Sequence, residues 1–339
     1  PVIFTTAMDS NRGRYADGDT FLDANPTTAP LAPVTIGTGS SSDPQFENNS
    51  LWGAVKLLGY APTNRGSAST GDNGEAYIEG FGGTREPYTY GGHLPNDSSG
   101  SLSYVSIRHS GLTIVEGDEQ QGLTLGGVGS GTTLEFVEIY CSGDDGIEIF
   151  GGTANLRNVV ISNVDDDCFD LDQGWTGNCQ FLLLLGTDNP VTNANTDSIG
   201  EWDGMDGDSG NTATMQAAID GYDPTDAATV TALTDNISSS TTPDGTPFMA
   251  PTIYNMTAFA EGSTSHTFEM DSGYGGALFN SIIQGLPANG IDIEDETNAN
   301  SLFNNYPSQS PTARIVAGSF LIANNTIVGV PGVTAASVQ

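Results

Sequence analysis

The sequence predicts an all-β fold, a right-handed parallel β-helix with about 22–25 residues per coil and long loop insertions. Three observations lead to this prediction. Short stretches of alternating apolar and polar residues recur, the same side chains return at a nearly constant offset, and Gly/Asp-rich turns separate the stretches. Because so short a unit cannot bury its own apolar face, neighbouring units must stack around one core.

The repeat is clearest in three segments that align without gaps, 102–109, 134–141 and 156–163. A turn and a second short strand follow each of them. Stacking would align their valines and isoleucines in inward columns, with about 4.8 Å between coils. Related patterns return between 253 and 293 and again from residue 320. A leucine-rich repeat has a similar period, but its LxxLxLxxN frame is absent, and a β-sandwich would not repeat side chains at one offset.

We predict a single β-helix domain over residues 1–339. Residues 60–100 are predicted to form a loop excursion. Residues 187–250 are predicted to form an Asp/Thr/Gly-rich insertion that contains a short helix at Thr212–Ile219. The chain opens on an apolar strand, so we expect the natural protein to extend further at its N-terminus.

The charge balance excludes two classes of function. The chain has 42 Asp and Glu against 8 Lys and Arg, a net charge of −34, and Lys56 is its only lysine. Such a surface repels nucleic-acid phosphates and anionic lipids. No apolar run approaches the roughly 18 residues of a membrane span. The three cysteines match no zinc pattern, so we expect at most one disulfide and a buried thiol.

Several motifs resemble a family of secreted bacterial β-helix proteins. The segments that carry the resemblance are 51–65, 90–92, 126–133, 142–152, 166–175 and 251–262. Members are large cell-surface or lipid-anchored proteins, common in marine and Bacteroidetes-type bacteria and mostly of unassigned function. The resemblance implies the β-helix fold, an extracellular or cell-surface location in a bacterium, and further coils before the first strand. It implies no catalytic residues.

Stacking also predicts a calcium site. It places turn aspartates of one coil on those of the next, and it gives the second strands an outward acidic column that Glu269 and Asp292 continue. With so few basic residues, these carboxylates must stay hydrated or hold cations, and Ca²⁺ prefers six to eight hard oxygens. Asp is also common in turns because its side chain caps local amides. The predicted calcium ligands are Asp144, Asp145, Asp166, Asp167, Glu148, Asp170, Asp203, Asp206 and Asp208.

The same carboxylates permit an enzymatic alternative. Asp145 and Asp167, on adjacent coils, would have about the spacing of a retaining glycosidase pair. The segment Ser142–Gly146 faintly resembles the paired-aspartate motif of polygalacturonase-type glycosidases, whose companion Gly-His-Gly and Arg-Ile-Lys elements are absent here. A lyase would need cationic groups, which are scarce. His109 falls in an inward column, which favours a hydrogen-bonded turn histidine.

Exposed aromatic rings would indicate sugar binding without catalysis. Trp175, Trp202 and Tyr222 lie in Gly/Asp-rich stretches and are the predicted stacking residues; the alternative is that they anchor loops to the solenoid.

Together these features lead to two functional hypotheses. The first is a secreted structural or adhesion module, calcium-stabilised and filament- or matrix-forming, which binds itself, other extracellular surface proteins or a polysaccharide. The second is a carbohydrate-active enzyme, a hydrolase before a lyase.

Overall fold

The structure is a computed structural model. It describes residues 2–5, 49–64, 76–78, 89–113, 119–186, 196–204, 247–260, 266–285, 290–293 and 311–329. In this part of the chain no helix is long and apolar enough to cross a membrane. The predicted helix at Thr212–Ile219 lies outside the described residues.

Short strands dominate the described residues, with one helix, α1 (Pro311–Ala317), near the C-terminal end. In chain order the strands are β1 (Val2–Phe4), β2 (Val55–Leu58), β3 (Ala76–Tyr77), β4 (Thr89–Tyr90), β5 (Ser101–Arg108), β6 (Leu123–Gly126), β7 (Thr133–Tyr140), β8 (Ile147–Phe150), β9 (Asn155–Ser162), β10 (Phe169–Asp172), β11 (Asn178–Gly186), β12 (Ser198–Asp203), β13 (Thr252–Tyr254), β14 (Thr257–Ala260), β15 (His266–Asp271), β16 (Gly276–Phe279), β17 (Ile282–Gly285), β18 (Ile291–Ile293), β19 (Phe320–Ala323) and β20 (Thr326–Val328).

These strands stack as a parallel β-helix, which confirms the predicted fold. Within the described ranges an eleven-stranded sheet contains the long strands β5, β7, β9 and β11, and a seven-stranded sheet runs β18-β15-β12-β10-β8-β6-β2. All pairings in both sheets are parallel between successive coils, as a solenoid requires. We call the eleven-stranded sheet the large sheet and the seven-stranded sheet the acidic sheet.

The inward columns of the large sheet form the core. Val105 pairs with Val137 and Val137 with Val159, and Ile107, Ile139 and Ile161 align in the same way. All six are at most 5% exposed. The shared register explains why the sequence repeats these side chains at one offset.

A left-handed residue bends each long strand of the large sheet. Tyr104, Phe136, Asn158 and Phe181 occupy equivalent positions in four successive coils and have φ between 54° and 63°. Asn255, Asn280 and Asn324 continue the series in later coils. Asparagine tolerates this conformation and aromatic residues adopt it rarely, so stacking between coils must hold them there. We call these seven residues the bend ladder.

The described parts of the two predicted insertions contain strands. Strand β12 lies inside the predicted insertion 187–250, yet it pairs with β10 and β15 as a regular member of the acidic sheet. In the predicted excursion 60–100, β3 and β4 pair antiparallel with each other. Helix α1 was not predicted from the sequence.

All three cysteines, Cys141, Cys168 and Cys179, are free and buried. Burial raises the pKa of the Cys168 and Cys179 thiols far above the ordinary value, so both stay protonated and inert. The sequence predicted at most one disulfide, and the structure contains none among its three cysteines. The predicted buried thiol is confirmed.

Candidate functional site

The outward face of the acidic sheet carries a column of carboxylates. Strand alternation places one residue from each strand in this column, and pairing between coils aligns them. Lys56 of β2, the sole lysine of the chain, stands beside the first member. We call this set the first acidic column. In coil order it is Thr124, Glu148, Asp170, Glu201, Glu269 and Asp292.

A second acidic column runs beside the first, two residues further along each strand. It consists of Asp172, Asp203 and Asp271, in the successive strands β10, β12 and β15. Asp203 is 7% exposed, and it lies directly beside Asp271 of the next coil in the strand register. Burial, followed by the neighbouring Asp271 carboxyl, raises the pKa of Asp203 well above its ordinary value.

The turns before β8 and β10 add further aspartates to the acidic sheet. Asp145 and Asp167 occupy equivalent positions in successive coils and are 7% and 2% exposed. The Asp167 amide donates to Asp145 Oδ1 at 2.9 Å, and the Ser198 amide donates to Asp167 Oδ1 at 2.7 Å. Each buried aspartate therefore caps the amide of the following coil, which is part of the reason that this turn repeats an aspartate.

Burial makes these carboxyls unusually basic. It is the largest cause that raises the pKa of Asp145 and Asp167 well above the ordinary value; the charges of Asp144 and Asp166, respectively, come next. Burial, followed by the charge of Asp197, raises the pKa of Asp166 to about 6. The acidic sheet thus holds negative charge at an energetic cost that protons or cations would relieve.

Two groups of carboxylate oxygens lie close enough together to hold one ion each. One group is Asp144, Asp145 and Asp166, and the other is Asp145, Glu148 and Asp170; within each group the ligand oxygens lie within 4.8 Å of one another. Asp145 belongs to both. Carboxylates are hard ligands, and the exposed side of the cluster leaves room for water, so the donor set fits Ca²⁺.

The structure brings together five of the nine predicted calcium ligands, Asp144, Asp145, Asp166, Glu148 and Asp170. Asp167 borders the cluster but belongs to neither group, and its Oδ1 accepts the Ser198 amide. Asp203 belongs to the second acidic column. Asp206 and Asp208 lie outside the described residues. Sequence reasoning missed Glu201, because the strand that carries it was assigned to an insertion.

At the far end of the first acidic column, His266 contacts two of its carboxylates. Its Nδ1 lies 3.0 Å from Glu269 and its Nε2 lies 3.5 Å from Asp292. A basic group thus stands at each end of the column, Lys56 at one end and His266 at the other.

Burial contradicts the predicted sugar-stacking role of two tryptophans. Trp175 and Trp202 are both fully buried. Each indole N–H donates to a backbone carbonyl inside the solenoid, Trp175 to Ala154 at 3.1 Å and Trp202 to Phe169 at 3.0 Å. They are core residues, and Tyr222 lies outside the described residues. His109 is buried at a left-handed position that Cys141 shares, in agreement with the inward column predicted for it.

The parallel β-helix fold agrees with a match to a known protein family. Residues 27–220, more than half of the chain, match the pectate-lyase-like β-helix domain family, and the chain belongs to that family. No curated protein and no solved structure matches the chain. The match agrees with the β-helix fold that the resemblance implied; the bacterial surface location stays a prediction.

Proposed function

We propose that this chain is a non-enzymatic β-helix module of an extracellular or cell-surface protein, and that Ca²⁺ bound on the acidic sheet stabilises it. The observation that carries the proposal is the pair of three-carboxylate groups that share Asp145. Three carboxylates in one small volume, with Asp145 buried among them, repel one another, and a divalent cation removes that repulsion more effectively than monovalent salt.

The structural and adhesive part of the proposal rests on the form of the solenoid. Within the described residues β1 and β19 lie at the two ends of the path of paired strands in the large sheet. A calcium-stiffened solenoid of stacked coils would suit contact with further copies or with other surface proteins.

We expect Ca²⁺ to raise the free energy of unfolding relative to Na⁺ at equal ionic strength. A ligand that binds only the folded state at a hundredfold excess over Kd stabilises it by about 2.7 kcal/mol. The measurement is thermal unfolding of chelator-treated protein in CaCl₂ and in NaCl, with calcium titrated calorimetrically in parallel. Equal ionic strength matters because salt alone screens the −34 net charge.

Asp145→Asn is the informative variant in this experiment. Its amide oxygen can still accept the Asp167 N–H, so the cap on the next coil is kept while the shared ligand charge is lost. Glu135→Gln is the matched control, because Glu135 belongs to the large sheet. Calcium stabilisation should vanish in the first variant and persist in the second. Identical melting curves in the two salts would contradict the proposal.

The raised pKa values favour one second candidate, a polysaccharide hydrolase. A carboxyl that keeps its proton near neutral pH can act as a general acid, and Asp145 and Asp167 both have raised pKa values. They lie one coil apart, about the spacing of a retaining pair. Their burial and their amide caps stand against this role, because the substrate must reach both carboxyls.

A reducing-sugar screen over neutral and acidic plant and algal polysaccharides distinguishes the two candidates. The non-enzymatic proposal predicts no product above the level of a heat-denatured sample. Product that appears with the native protein and is lost in both Asp145→Asn and Asp167→Asn would establish the hydrolase instead.

A further inference from the structure

The bend ladder lies along the floor of a groove on the outer surface of the large sheet. The groove is about 630 Å³ in volume. Its lining includes Phe136, Asn158, Phe181 and Asn255, which are four successive rungs of the ladder. This surface belongs to a different sheet from the acidic columns and was not predicted from the sequence.

Three exposed aromatic rings belong to the bend ladder: Phe136 and Phe181 line the groove, and Tyr104 lies on the coil before it. Tyr104 is 58% exposed, and Phe136 and Phe181 are each 41% exposed. The rings of Tyr104 and Phe136 are parallel, with their centroids 4.5 Å apart, so Tyr104 covers one face of Phe136. The other face looks along the solenoid axis towards the coil of Asn158.

Asn158 interrupts the aromatic series and leaves a slot. The backbones of Phe136 and Phe181 are two coils apart, roughly 9.6 Å at the ordinary strand spacing of about 4.8 Å. The short asparagine side chain lies at the bottom of this slot, between the two larger rings. The exposed Arg157 guanidinium lies over the Phe181 ring on this side, so a pyranose ring enters the slot when that flexible side chain turns aside to bind a sugar hydroxyl. The amide at the bottom offers both a donor and an acceptor to sugar hydroxyls.

The coil repeat also suits a chain of sugars. One coil advances by about 4.8 Å, close to the length of one residue in an extended glycan. Beyond Phe181 the floor continues with Asn255, and Thr257 lines the same groove. Aromatic faces combined with a few well-placed polar groups are typical of ligand-binding grooves.

Charge decides which glycan fits. The described Lys and Arg side chains are Lys56, Arg108, Arg157 and Arg314, and two of these four flank the groove. Arg108 pairs with Glu138 at 2.6 Å, and the Arg157 guanidinium lies 5.6 Å from the Phe181 ring centroid. Arg108 and Glu138 cancel and leave the charge of Arg157, but the molecule as a whole has a net charge of −34, whose field repels a polyanion and favours a neutral glycan.

We propose that the groove over Asn158, between the rings of Phe136 and Phe181, is a binding site for a neutral polysaccharide. One sugar ring lies in the slot, and the chain runs along the bend ladder. The site is independent of the calcium proposal, because it shares no residue with the acidic sheet.

Asn158→Phe tests the slot directly. Aromatic residues already occupy the equivalent left-handed position at Tyr104, Phe136 and Phe181, so the fold accepts the change while the new ring fills the slot. Asn280→Phe is the matched control, since Asn280 has the same conformation on the ladder but lies outside the lining of the groove. Phe181→Ala removes one wall, and Tyr60→Ala, at a 63% exposed aromatic elsewhere, is its control.

The measurement is affinity electrophoresis of the native chain through gels that contain hydroxyethylcellulose, laminarin, galactomannan or sodium polygalacturonate. We expect retardation by at least one neutral polysaccharide and none by polygalacturonate. Asn158→Phe and Phe181→Ala should each weaken binding at least about tenfold, which corresponds to about 1.4 kcal/mol, and both controls should bind as the native chain does.

Three results would overturn the proposal. They are no retardation by any neutral polysaccharide, equal retardation of Asn158→Phe and the native chain, and a dimer in sedimentation that Asn158→Phe dissociates while no glycan binds. The last result would assign the groove to a second copy of the chain. Runs with calcium and with chelator separate this outcome from failure of the metal site.

Discussion

Replacing Trp202 by alanine is expected to destabilise the fold more than any other substitution considered for this chain. The indole is fully buried, packs on Phe268 at 4.6 Å and on Tyr274 at 5.4 Å between ring centroids, and donates to the Phe169 carbonyl. Truncation of a buried Trp to Ala costs about 3–5 kcal/mol, since it leaves a cavity and an unpaired carbonyl. Denaturant unfolding followed by far-UV circular dichroism measures the loss.

Two further variants separate a core role from a ligand role for Trp202. Trp202→Phe keeps much of the packing and should recover part of the lost stability. Phe136→Ala, which truncates a 41% exposed ring, should shift the unfolding midpoint far less. An unchanged midpoint in Trp202→Ala would show that the indole does not support the core.

The inward columns were predictable because two strong signals in the sequence, the alternation of apolar residues and their constant offset between coils, indicate the same buried positions. Alternation places Val137 and Ile139 on one face of a strand, and the constant offset places Val159 and Ile161 beside them in the next coil. Burial and register then follow together, since a slip by one residue would turn every apolar side chain outward.

The tryptophans show where composition misleads. Trp175 and Trp202 lie in stretches rich in Gly and Asp, which are typical of exposed turns. In this fold the two tryptophan rings point into the core of the solenoid, and Gly200 packs directly against the Trp202 indole. The identity of neighbours in sequence does not reveal which face of a coil a ring occupies.

The bend ladder could not be predicted from the sequence, for a different reason. Nothing in the alternation of Leu134–Cys141 marks Phe136 as a left-handed residue, because aromatic residues adopt that conformation rarely. Only the stack of equivalent positions in neighbouring coils makes it favourable. The slot over Asn158 is therefore a property of the assembled coils and not of any single repeat.

Strand β12 was missed because its sequence carries few apolar residues. Ser198–Asp203 has only Ile199 and Trp202 as large apolar side chains, so it reads as part of the surrounding Asp/Thr/Gly-rich stretch. Its pairing with β10 and β15 shows that the acidic columns are continuous across the insertion. The electrostatic consequence is larger than the sequence predicted, since Glu201 adds charge between Asp170 and Glu269.

The crowded carboxyls of the acidic sheet predict that the stability of the fold depends on pH in the direction opposite to the usual acid denaturation. Without calcium, we expect the free energy of unfolding to rise as the pH falls from 7.5 to about 5. The pKa of Asp166 is raised from 3.8 to about 6 by burial and then by the charge of Asp197, and the pKa values of Asp145 and Asp167 are raised as well. In this window the folded state binds more protons than the unfolded chain, so stability is lost as the pH rises through the folded pKa.

The two buried turn aspartates, Asp145 and Asp167, carry most of this effect. Asp166 is exposed, so solvent screens its charge and its contribution is small; that contribution is fully present below the unfolded pKa of 3.8 and lost above about 6. Bound calcium keeps the carboxylates ionised without the repulsion. Protons then compete with the metal, so the profile in calcium should be flat or reversed.

Melting temperatures between pH 4.5 and 8 in chelator and in calcium, at constant ionic strength, measure the effect. The double variant Asp145→Asn/Asp167→Asn removes two of the titrating carboxyls and keeps amide oxygens that can accept the Asp167 and Ser198 N–H groups. In chelator it should melt higher than the native chain at pH 7.5, and its profile should be flatter. Glu135→Gln, on the large sheet, removes one charge without touching the buried turn and should keep the native slope. If the double variant and the native chain had parallel profiles, the charge cost would lie in the surface as a whole and not in the stacked turn aspartates.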